Sequence, residues 1–155
     1  MKAVYVGERV KQEPGLKSIF LAGPSPRGDK GYNWRPDALS ILRGLRFDGY
    51  VYLPLLDDGG WLKHFEKQMD WELEHLEKAD VIAFWVPRDL ETLPGLTTNI
   101  EFGMYLKSGK IVLGSPPEAT NMRYMTRLAA MNDVFVSPTL DGTLRYAVEM
   151  TRGRH

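Results

Sequence analysis

The sequence contains no cysteine. That excludes a disulfide framework and any thiolate chemistry. It also lacks a charge surplus: twenty basic residues are balanced by twenty acidic ones, so the basic footprint of a nucleic-acid-binding domain is missing. Its three histidines are scattered, without metal-ligand spacing. No apolar run approaches the roughly 20 residues that span a bilayer, so no membrane partner is expected. The opening MKAVYVGERVKQEPG carries no apolar signal core, and the expected location is cytoplasmic. Internal repeats and low-complexity tracts are absent.

Several nucleotide-related motifs are missing too. No G-x-G-x-x-G follows the first strong strand candidate, and GPSPRGDKG lacks the Gly-Lys-Ser/Thr of a phosphate-binding P-loop. The strand that would carry a receiver-domain aspartate ends instead in Phe84, Trp85, Val86 and Pro87. No G-x-S-x-G elbow appears.

What is present is an ordinary globular composition over 155 residues, 43% of them hydrophobic. That length predicts a single domain, 1–155, with its core at about 18–151. Short apolar runs alternate with longer amphipathic stretches. Strands are predicted at 18–22, 50–53, 81–86, 110–113 and 134–136, and helices at 34–46, 61–78, 97–108, 120–131 and 139–150. Residues 3–6 are a candidate edge strand. Pro36 suits a first helical turn. Leu39, Leu42 and Leu45 share a face of that helix, and Phe65, Met69, Leu73 and Leu76 form a stripe expected to be buried in the next. The run 81–86 is continuously apolar, as in a strand covered on both faces.

The alternation predicts an α/β fold: one doubly wound, flavodoxin-like, five-stranded parallel sheet of order 2-1-3-4-5 with helices on both faces. Ligands then bind at the carboxyl edge near the switch point. The segments expected to face that crevice are 23–31, 87–99 and 114–121. The first is dense in breakers, Pro26, Gly28 and Gly31 among them.

Two carboxylates stand out. Glu101 falls in the first turns of the helix after the third strand, where Thr97 or Thr98 can cap and the dipole favours the ionised form. Position alone favours the plainer reading, a solvated glutamate that complements the dipole. Asp70, Glu72 and Glu74 lie on the preceding long helix, and a run such as ELEHLEK reads by itself as solvated surface. Glu72 points nearer the face of Phe65 and Met69. Glycoside cleavage with retention needs one carboxyl as nucleophile and another to manage the proton.

Three segments taken in order resemble the nucleoside 2-deoxyribosyltransferase superfamily: FLAGPSPRG, WELEHLEKADVIAFWVPR and TTNIEFGMYLKSGKIVLG. The resemblance implies that Glu101 is a nucleophile forming a covalent glycosyl-enzyme. It implies that Glu72, where the family usually carries an aspartate, contacts the base. Asp80 reads as structural. Gly95 stands where the resemblance implies an acid in many members and a serine in nucleotide-cleaving ones; the contact with the sugar then either passes to Thr97, Thr98 or Asn99 or is missing. The loop holding Gly23, Pro24 and Arg27 is expected to bind the substrate, with Arg27 suited to a 5′-phosphate. Trp34 and Trp71 are candidates for stacking on a base, or for packing. Asn121 sits near the position where an asparagine reaches into a neighbouring subunit's site. The resemblance therefore implies cleavage or transfer at the N-glycosidic bond of a (2′-deoxy)nucleoside, without cofactor or metal, in a homo-oligomer. The rival readings are a 5′-monophosphate N-glycosidase and a non-catalytic nucleotide-binding module; an NAD-cleaving enzyme ranks behind both.

Overall fold

Six short strand segments form the centre of the molecule. In the computed structural model, which describes residues 1–27 and 30–153, they pair as parallel strands. In chain order these are β1 Lys2–Tyr5, β2 Lys17–Ala22, β3 Gly49–Leu53, β4 Val81–Trp85, β5 Ile111–Gly114 and β6 Val136–Ser137. The helices are α1 Arg35–Gly44, α2 Phe65–Lys78, α3 Leu96–Tyr105, α4 Arg123–Met131 and α5 Leu140–Thr151. Gly28, counted above among the loop breakers, lies outside the described residues.

The sheet has six strands in the order β1-β3-β2-β4-β5-β6, which corrects the five-stranded expectation. The extra strand is the candidate near residues 3–6. It pairs in parallel with β3, Ala3 opposite Val51, and adds a strand at the outer edge. In the middle, Ile19 of β2 lies between Val51 of β3 and Val81 of β4. Every residue of β3, β4 and β5 is buried, which is why those segments read as unbroken apolar runs.

Side chains alternate between two cores, one on each face of the sheet. Ile19, Leu21, Val51, Ala83 and Val112 meet Leu39 and Leu42 of α1 and Leu144 and Val148 of α5. On the other face Phe20, Tyr52, Ile82, Phe84 and Leu113 meet Trp71 and Leu76 of α2, Phe102 of α3 and Met125 of α4. The chain therefore crosses from the α1 face to the α2 face on leaving β3. Connections run in opposite directions on the two sides of β2, so the switch point lies between β2 and β4.

Two local expectations change. α2 starts at Phe65, four residues after the predicted start, because His64 is extended. Its buried side is Gln68, Trp71, His75 and Leu76, not the Phe65–Met69 stripe. Phe65 is 72% exposed and Met69 47% exposed; both turn toward a cleft instead. Asp80 is structural, as read from the sequence. Its carboxylate accepts from the Ser18 amide (2.8 Å), the Ser18 hydroxyl (2.9 Å) and Lys17 Nζ (3.0 Å), tying the start of β4 to β2.

Candidate active site

A cleft of about 740 Å³ opens at the carboxyl edge of β2, β3 and β4. Its polar floor is made by Gly23, Ser25, Gln68, Glu72, Thr98 and Glu101, with the exposed Arg27 on its wall. Its walls are apolar: Trp61, Phe65, Met69 and Leu73 on the α2 side, and Leu96, Ile100 and Met104 on the α3 side. The spacing of each wall is helical, with Phe65, Met69 and Leu73 four residues apart and Leu96, Ile100 and Met104 likewise.

The loop after β2 is shaped by close backbone approach. Gly23 has φ 147°, and a Cβ there would sit 2.0 Å from the Trp85 carbonyl oxygen; only glycine fits. Trp34 Nε1 donates to the Pro24 carbonyl at 3.0 Å. Gly95, the N-cap of α3, is left-handed at φ 62° and ψ 45°. A Cβ on it would meet Pro24 Cγ at 2.7 Å. The two loops that frame the cleft therefore touch at Pro24 and Gly95, a contact that leaves no room for a side chain at residue 95.

Beneath the loop lies Arg35, the first residue of α1 and 1% exposed. Its guanidinium donates to the Leu21 carbonyl (3.3 Å), the Ser25 hydroxyl (2.9 Å) and the Gly23 carbonyl (2.9 Å). Gln68 Nε2 donates to both the Pro54 carbonyl (2.8 Å) and Glu72 Oε1 (2.5 Å). That bond orients Glu72 toward the cleft.

The electrostatics correct the expectation of an ionised Glu101. It is the sixth residue of α3, beyond the first turn in which the helix dipole acts. Thr97 and Thr98 do not cap the helix; the N-cap is Gly95 and no side-chain cap bond forms. Burial pushes the Glu101 carboxyl up to about 8, the nearby charge of Glu72 adds to the rise, and Arg35 opposes it. Burial also raises Glu72, against the Gln68 hydrogen bond and the Arg35 charge. The same desolvation lowers Arg35 to about 10, with Glu101 and then Glu72 opposing. Near neutral pH the cleft floor thus combines a cation with two carboxyls that resist simultaneous ionisation.

Of the residues singled out in the sequence, Glu101, Glu72, Gly23, Pro24, Arg27 and Thr98 line this cleft. Trp34, Trp71, Asn99 and Asn121 do not. Trp34 is buried against the loop. Trp71 stacks on His75 with ring centroids 3.8 Å apart and donates to the Glu8 carbonyl at 2.9 Å. Asn99 and Asn121 are both bound to Arg88: its guanidinium donates to Asn99 Oδ1 and, at 3.2 Å, to the Asn121 carbonyl. Arg88 also reaches the Pro94 carbonyl at 3.0 Å. It thereby draws the segment after β4 back toward residue 121, so 87–93 and 114–121 stay out of the cleft they were expected to line. Arg35 and Gln68 were missed by the sequence reading. An arginine before Pro36 and a glutamine in a charged helix both resemble surface residues, and no local pattern distinguishes them.

Among the described residues no group of three or more His, Cys, Asp or Glu side chains is placed to hold a metal, and no helix is long and apolar enough to cross a membrane.

A doubly wound parallel sheet with two coupled carboxyls in an apolar cleft at its switch point defines a class of small-ligand α/β proteins. Within that class the chain belongs to the nucleoside 2-deoxyribosyltransferase-like family, whose model matches residues 16–119. The match runs from β2 through β5 and takes in both carboxylates. No curated protein matches the chain. Membership assigns it, in general terms, nucleoside 2-deoxyribosyltransferase-like activity on nucleoside substrates.

Proposed function

We propose that the protein cleaves or transfers at the N-glycosidic bond of a (2′-deoxy)nucleoside through a covalent glycosyl-Glu101 intermediate. The observation that carries this reading is the pairing of Glu101 and Glu72 on one cleft floor, from two different helices, with each raised by burial and Glu101 raised further by Glu72. Two carboxyls in that relation supply a nucleophile and a proton donor. The sugar lies over Glu101 beneath the 23–27 loop, and the base extends between the α2 and α3 walls. Glu101 attacks C1′ as the C1′–N bond breaks. The departing electron pair goes to the base nitrogen, which takes its proton from Glu72. A second base then displaces Glu101, giving transfer, or water does, giving hydrolysis.

The test is product analysis by chromatography after incubation with a deoxynucleoside and a free acceptor base. A new nucleoside marks a transferase, and free base alone marks a hydrolase. Intact substrate after prolonged incubation across a panel of bases and pH values would leave the non-catalytic binding module as the better account.

Arg27 on the cleft wall favours a second reading, in which the substrate carries a 5′-phosphate. That reading predicts a preference for the monophosphate that disappears in Arg27→Ala. Subunit association belongs to the same proposal. Trp61, Phe65, Leu96, Ile100 and Met104 are each more than half exposed, and they ring the mouth of the cleft where a second copy can cover them.

A further inference from the structure

We propose that Asp89 is a positioning residue for substrate binding: its carboxylate closes the 89–93 turn, and that turn braces the cleft-lining 23–27 loop from outside the cleft. The inference rests on the functional reading above for its effect on substrate, and on hydrogen bonds and close contacts for its basis.

The turn is organised by one oxygen. Asp89 Oδ1 accepts from the Glu91 amide (3.0 Å), the Thr92 amide (2.8 Å) and the Thr92 hydroxyl (2.9 Å). The backbone closes around these bonds: the Leu93 amide donates to the Asp89 carbonyl at 2.8 Å, and the Asp89 amide to the Leu93 carbonyl at 3.3 Å. Both ends of the turn are anchored. On one side Leu93 is buried. On the other, the buried Arg88 donates to the Pro94 carbonyl, to Asn99 early in α3 and to the Asn121 carbonyl, while its own carbonyl accepts from the Thr120 amide at 3.0 Å. With the ends fixed, the direction of the Thr92 carbonyl depends on the bonds Asp89 makes.

The neighbouring loop leans on that carbonyl. The Arg27 amide donates to it at 3.3 Å. Gly31, left-handed at φ 92°, packs so closely that a Cβ there would lie 2.9 Å from the same oxygen. Two residues beyond the turn, Gly95 presses on Pro24. The 23–31 loop therefore meets the 89–95 segment at residues 24, 27 and 31. Pro24 and Arg27 line the cleft, whereas Asp89 and Thr92 do not. Asp89 thus acts on the cleft only through the loop it supports.

The division of labour follows from where the groups stand. Glu72 and Glu101 are carried by α2 and α3, and the hydrogen bonds of the Asp89 side chain reach neither helix. Losing that side chain loosens the loop that holds the substrate and leaves the reacting carboxyls in place. Contacts of that kind serve ground state and transition state alike, so their loss appears in KM and not in kcat.

The experiment compares wild type, Asp89→Ala and Asp89→Asn in two measurements: hydrogen exchange of the Arg27 amide by NMR without substrate, and KM and kcat with a deoxynucleoside. In D89A we expect Arg27 to exchange roughly tenfold faster and KM to rise about tenfold, with kcat within about twofold of wild type. D89N keeps an accepting oxygen at the same position and restores both values. Unchanged Arg27 exchange in D89A overturns the proposal, as does a loss confined to kcat, or a D89N as impaired as D89A. Asp89 is exposed, so its variants should fold. If D89A does not, Thr92→Val, which removes only the hydroxyl bond, decides: faster Arg27 exchange supports the brace and unchanged exchange overturns it. Should wild type show no turnover, the functional reading fails, and the exchange data alone decide whether the turn positions the loop.

Discussion

Glu101 is costly to keep where it is. Its carboxyl is raised to about 8, well above its value in an unfolded chain, so the unfolded state ionises first as pH rises. Stability is therefore full below about pH 4.5 and declines as pH rises toward 8. Glu101→Gln removes that penalty. We expect the variant to match wild type in thermal unfolding at pH 4 and to exceed it by on the order of 4 kcal/mol at pH 8. Identical stability at both pH values would show that Glu101 is not held in a desolvated site. The same substitution should reduce turnover by at least about a thousandfold. The reactive form has Glu101 ionised and Glu72 protonated, one proton on the pair, so kcat/KM should pass through a maximum and fall as pH rises above about 8, where the last proton leaves. In Glu72→Gln the like charge that lifts Glu101 is gone, so the Glu101 carboxyl should titrate at lower pH; an unmoved titration would separate the two groups electrostatically.

At the scale of the elements, the site depends on how two loops meet. Gly95 is both left-handed and pressed against Pro24. Gly95→Ala should cost about 1–3 kcal/mol and lower activity at unchanged Glu101 chemistry, measured as a fall in unfolding temperature alongside a raised KM. A variant as stable as wild type would mean that the loops part easily. Much of the secondary structure was legible because each buried strand is an unbroken apolar run with a Gly or Pro stop. What misled was α2. Periodicity identifies an apolar face but not what it faces, and Phe65 and Met69 line a cleft where a core was expected. The left-handed cap at Gly95 could not be read either. Two threonines just inside the helix are good capping residues, and only the contact with Pro24 explains why a glycine starts the helix instead. Arg35 was hidden for a similar reason: its burial comes from the loop folded over it, a tertiary fact.

Over the whole molecule, β1 extends the sheet beyond β3, and the 6–16 segment that follows it packs over the α2 face. Trp71 donates to Glu8, Gln12 Nε2 donates to the Tyr52 hydroxyl at 2.7 Å, and the Glu13 amide donates to the Tyr50 hydroxyl at 3.1 Å. Removing residues 1–15 should uncover the β3 edge and these aromatics. We expect lower thermal stability and concentration-dependent light scattering from the truncated chain; a monodisperse, equally stable product would make the segment an ornament. Association through the cleft mouth makes a second prediction: a dimer or larger species by sedimentation, dispersed by Ile100→Lys. The carboxylate pair was legible because motif order pointed to both residues. Their charge state was not, since it depends on desolvation and on Arg35, neither of which sequence spacing encodes.

The central claim is a covalent bond between Glu101 and the anomeric carbon. The most direct measurement is peptide mass spectrometry of protein quenched during reaction with a 2′-fluoro-substituted nucleoside, whose electronegative substituent slows the oxocarbenium-like steps and holds the intermediate. The account predicts one added fluorosugar mass, located on the peptide containing Glu101 and absent from Glu101→Gln. Turnover of ordinary nucleoside with no such adduct, together with full activity in Glu101→Gln, would contradict it.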